Sequence, residues 1–153
     1  MEITKVAVSP LKSAFRVFLQ DLEAIPEDAF AKSFGGKSRT VADIVYEVNM
    51  VNDDIARSMR GEAMVEWPEG WLTAPEGQRD KAGVVAAFTK SSEAVLATVE
   101  GYSDEDLLAK VTTEHGETDR FERCRFMTLH TWYHSGQLNF IQTLLGDDAW
   151  HWS

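Results

Sequence analysis

Residues 129–146, from Leu129 to Gly146, run L-H-T-W-Y-H-S-G-Q-L-N-F-I-Q-T-L-L-G. His130 and His134 stand four residues apart, a spacing that on an α-helix puts both side chains on one face with Cβ atoms about 5–6 Å apart. Met127, Gln137 and Ile141 share much of that face, so it reads as the inward side of a helix and not as a solvated one. Gly146 supplies the stop. The segment predicts a last helix from Thr118 to Leu145 whose two histidines face other helices.

Three more segments repeat at helical spacing. Ser9-Pro10 pairs a capping residue with a proline at the first helical position, and Leu11, Phe15, Phe18, Leu19 and Leu22 follow. Thr40 with Asp43 resembles a capping box carrying Asp in place of Glu, and opens a helix through Ile44, Val48, Val51 and Ile55 to about Gly61. A third helix begins near Asp80 and carries Val84, Val85, Phe88, Val95 and Val99, after which Ser103 and Asp106 cap a short piece through Leu107 and Leu108. Between helices two and three, E-W-P-E-G-W-L-T-A-P-E-G-Q (Glu66 to Gln78) breaks the period with proline and glycine and reads as a long crossover loop. Val111 to Glu117 also reads as loop, and no stretch alternates as a half-buried strand does. The expected architecture is all-α, a four-helix bundle forming one domain over residues 1–153.

A chain of 153 residues, 44% of them hydrophobic, can bury a core without disulfides or structural metal. Fifteen Lys and Arg against twenty-five Asp and Glu give a net charge of -10, which repels phosphate backbones and anionic lipid, so neither nucleic acid nor membrane is the expected partner. The lone Cys124 cannot bridge within the chain, as suits a reducing compartment. The opening MEITKVAVSPLKSAF lacks a basic leader with an apolar core, and no apolar run of membrane-spanning length is apparent. The expected location is cytoplasmic.

An HxxxH pair alone is equally the mark of two hydrogen-bonded histidines in a helix interface. Glu47, however, lies among Ile44, Val48 and Val51, on or beside the apolar stripe of helix two, where an unpaired carboxylate is costly to bury. If helices two and four are neighbours, Glu47, His130 and His134 form a His-His-carboxylate set, three protein ligands that leave a metal positions for water and substrate. The competing reading puts Glu47 at the edge of the stripe, reaching water. Asn49, Asn52 and Gln137 are positioned to hydrogen-bond the ligands, or to serve solvation or helix packing. Cys124 projects from a different face than His130 and reads as a packed apolar residue.

T-V-A-D-I-V-Y-E-V-N-M-V-N (Thr40 to Asn52), together with the Leu129–Gly146 stretch, resembles the DinB-like (YfiT-like) superfamily of metal-dependent helical bundles. The resemblance implies a divalent metal (Zn, Ni, Mn or Fe) held by three histidines, one from helix two and an HxxxH pair before a Gly-Gln step. His130 and His134 fall on that pair, Gly136-Gln137 on that step, and Glu47 where the first histidine usually stands. A carboxylate there lowers the Lewis acidity of the metal relative to three neutral imidazoles. The resemblance further implies transfer of a low-molecular-weight thiol, or thiol-dependent isomerisation, and a homodimer, while the open metal position itself suits hydrolysis or thiol transfer on a small-molecule substrate through a metal-bound water or thiolate. The alternative class is a non-catalytic bundle for binding, dimerisation or small-molecule sensing, without metal, in which Glu47 pairs with a protonated histidine.

Two motif fragments carry less. A-K-S-F-G-G-K-S (Ala31 to Ser38) is close to a phosphate loop but follows a helix and an acidic turn instead of a buried strand. His115-Gly116-Glu117 matches the H-x-E of zinc deaminases, yet the P-C-x-x-C partner is absent.

Overall fold

The apolar periodicity becomes helix along most of its length. The computed structural model describes residues 2–113 and 116–153; His115, and with it the H-x-E fragment, lies outside them. Among the described residues four long helices are present: α1 (Ile3–Ala24), α2 (Val41–Arg60), α3 (Lys81–Glu100) and, after a short α4 (Asp104–Leu108), α5 (Arg120–Leu144). Helix α1 packs on α3 and α5, and α2 packs on the same two, which closes a four-membered ring. Leu11, Phe18, Leu22, Val48, Ile55, Phe88, Met127 and Leu138 fill its centre. Helices α2 and α5 are therefore neighbours, the arrangement on which the proposed ligand set depended.

The start of α1 departs from expectation. Pro10 lies inside the helix, on its exposed side, and not at its first turn. The preceding turns form because Asp104, at the start of α4, accepts from both the backbone N–H and the hydroxyl of Thr4 at 2.8 Å. A cap borrowed from 100 residues away overrides the local proline signal.

Helix α2 begins as read, with the Thr40 hydroxyl accepting from the Asp43 N–H at 3.1 Å, and ends at Gly61 with φ +74°, a left-handed turn that favours glycine. The Asp43 carboxylate does not complete a capping box. It accepts instead from the Ala74 N–H at 2.8 Å, and Asp54 accepts from the Val65 N–H at 3.0 Å. These two acids of α2 pin the crossover loop along the helix and bury Leu72 and Ala74.

The segment expected to be a loop contains an antiparallel hairpin, β1 (Lys110–Thr113) paired with β2 (Gly116–Asp119), in register Val111↔Thr118. Helix α5 consequently starts at Arg120, capped by Asp119, two residues later than the sequence suggests. Arg120 donates to the Met59 carbonyl at 2.7 Å and the Tyr102 hydroxyl to the same oxygen at 3.0 Å, so an otherwise orphaned carbonyl in the last turn of α2 is satisfied. Helix α3 also corrects the sequence reading: it alone among the described helices is long and apolar enough to span a membrane by length and composition, though here it packs against α1 and α2.

Candidate metal centre

Glu47 lies in the second turn of α2, on the side that meets α5, and His130 and His134 occupy successive turns of α5. Their ligand atoms all lie within 4.8 Å of one another. The two Nε2 atoms are 3.1 Å apart, and each is 3.7 Å from Glu47 Oε1. Four-coordinate zinc, with bonds of about 2.0–2.1 Å, sets its donors about 3.3 Å apart. The observed spacing brackets that value, so the three residues fit a small divalent cation.

Protonation is consistent with ligation. His134 is 1% exposed, and burial, with Gln137 opposing and the Arg39 charge adding, lowers its pKa to about 4. Burial, His134 and Arg39 together lower His130 to about 4 as well. Both imidazoles are thus pushed toward the neutral form, the form that ligates a metal, which favours ligation over a protonated histidine paired with Glu47.

The cation paired with Glu47 is Arg39, which sequence reasoning missed. Its Nη1 contacts Glu47 Oε2, leaving Oε1 to the two imidazoles, and its guanidinium lies 5.0 Å from the centre of the Trp71 ring. Gln137 Oε1 accepts from Arg39 Nη2 at 3.4 Å and faces His134 Nδ1 at 2.9 Å. Since a guanidinium only donates, the Gln137 atom between these partners is its oxygen, and His134 Nδ1 must carry the proton. His134 Nε2 is then bare and turned toward Glu47 and His130, as a metal ligand has to be.

Gln137 thus supports the set, whereas Asn49 and Asn52 do not reach it. They are turned to α3, where the Ser91 hydroxyl donates to Asn49 Oδ1 at 2.8 Å and accepts from Asn52 Nδ2 at 3.1 Å. Cys124 is also distant in function. Its Sγ lies 3.9 Å from Met59 Sδ, and burial pushes its thiol up to about 12. Tyr133 is 64% exposed and sets its ring against that of His134 at 4.9 Å.

Comparison with known proteins supports the fold. A DinB-like protein from Bacillus subtilis, known from a crystal structure, superposes with a TM-score of 0.71 at 13% identity, covering 96% of this chain and 97% of that one. A DinB-like protein from Bacillus cereus ATCC 10987 also gives 0.71, at 10% identity over 88% and 87% of the two chains. At such identities the likeness concerns the fold. No curated protein matches in sequence. The DinB superfamily model matches residues 11–138, which include Glu47, His130 and His134, and the chain belongs to the DinB superfamily.

Proposed function

We propose that the protein is a divalent-metal-dependent enzyme acting on a small molecule, by hydrolysis or by transfer of a low-molecular-weight thiol, with Glu47, His130 and His134 as metal ligands. One observation carries the reading: a carboxylate oxygen and two neutral imidazole nitrogens from neighbouring helices converge within 4.8 Å. A bound Zn, Ni, Mn or Fe ion supplies Lewis acidity and lowers the pKa of water or a thiol. Gln137 holds His134 in the ligating tautomer, and Arg39 balances the charge of Glu47 while leaving one oxygen facing the rings. The same reading includes a homodimer and a cytoplasmic location; the single unbridged Cys124 supports a reducing compartment.

Arg39 also favours a second reading. Because it already neutralises Glu47, the site is electrostatically satisfied without metal, as in a non-catalytic binding or sensing bundle. Metal content separates the two. Untagged protein assayed after gentle purification is expected to hold one equivalent of Zn, Ni, Mn or Fe per chain, lost in His134→Ala. Wild-type protein that carries none and cannot be reconstituted overturns the metal reading.

A further inference from the structure

A cavity of about 470 Å³ adjoins the triad, between the connection that leads into α2, the crossover loop and the C-terminal half of α5. Three of its lining residues touch the triad directly: Arg39 pairs with Glu47, Gln137 faces His134 Nδ1, and Tyr133 lies edge-on to the His134 ring. Much of the remaining wall is aromatic or aliphatic, with Phe34, Trp71 and Phe140 among its members. The only charged residues on it are Lys37 and Arg39, both cationic, in a chain whose net charge is -10. Arg39 is shared with Glu47 and also feels the Asp43 charge, so Lys37 is the cation on this wall that no acidic side chain among the described residues is seen to pair. A cation left over on an otherwise apolar wall attracts an anion that the acidic remainder of the surface repels.

We propose that this cavity binds an amphipathic small-molecule anion, its apolar or aromatic body against the aromatic wall and a carboxylate or similar head toward Lys37 and Arg39. The proposal gives the metal-dependent reading its substrate class and rests on that reading for turnover, but binding itself needs no metal. Aromatic walls with a few placed polar groups are the usual make-up of small-ligand sites, and a carboxylate takes charge-assisted bonds from both cations.

The test uses 4-phenylbutyrate and its neutral isostere 4-phenylbutyramide, titrated by NMR into wild-type protein, with and without chelator treatment, and into Lys37→Gln and Trp71→Ala. Lys37 and Trp71 are exposed, so their variants are expected to fold as wild type. The acid should bind wild type, chelator-treated or not, about tenfold more tightly than the amide. Lys37→Gln should remove most of that preference, and Trp71→Ala should weaken both ligands. Equal binding of acid and amide, no saturable binding of the acid, or indifference to both cavity variants overturns the proposal whatever the metal content. Acid binding by a protein that takes up no metal upholds it and removes the metal reading alone.

Discussion

Arg39 and Gln137 show how much of the site depends on residues with no motif around them. His130 and His134 are legible because a four-residue spacing has one geometric meaning on a helix, and Glu47 because a carboxylate in an apolar stripe demands a partner. Arg39 has no such signature: it sits just before the Thr40 cap, at the end of what reads as a connecting loop, and its reach to Glu47 depends on tertiary placement. Gln137 was visible as a supporting residue, but its task, fixing one tautomer, follows only from its shared contact with Arg39 and His134. Replacing it with leucine is expected to weaken metal binding about 10- to 100-fold with the fold retained, read by competition against a chelator. Unchanged affinity would mean that the tautomer is held by something else. Asn49 and Asn52 lie beside Glu47 in sequence yet serve α3, because helical rotation carries them to another face within a turn and a half.

Helix α2 is the element on which the site is organised. Its first turn is capped by Thr40, its stripe supplies Glu47, and Asp43 and Asp54 hold the crossover loop beside it so that Trp71 covers Arg39. Thr40→Ala removes the cap without touching a ligand, and is expected to cost about 1 kcal/mol, seen as a lower urea midpoint at unchanged slope. A midpoint equal to wild type would show that the Asp43 N–H finds another acceptor. The helices were readable from their apolar period and caps, including the capping box of Ser103 with Asp106 on α4. The hairpin was not, since each strand has four residues and Val111 alone is buried, too little alternation to stand out from loop. The start of α1 failed for a different reason: its cap is Asp104, a partner that local sequence cannot reveal.

At the scale of the whole molecule, α5 presents Phe126 and Leu129 to solvent, 49% and 58% exposed, Phe126 with its ring stacked on that of His130. If this surface is the dimer contact, Leu129→Glu converts a dimer into a monomer in sedimentation while leaving the triad intact. A wild-type protein that sediments as a monomer at micromolar concentration rejects the contact. On the far side of α5 the chain beyond Gly146 folds back onto the bundle. The Trp152 indole donates to the fully buried Asp21 at 2.7 Å, the Ser135 hydroxyl donates to the other carboxylate oxygen, and burial raises the Asp21 pKa against these bonds. The Trp152 ring also lies tilted to that of Trp150 at 4.7 Å and edge-on to that of Trp132 at 5.4 Å between ring centres. Chromophores that close couple their excited states, so the trio is expected to give an exciton signature in circular dichroism, separate from the helical bands. Peeling the tail from Asp21 would erase that signature while the bundle stayed folded, so an optical gauge of tail docking is built into the chain without any label.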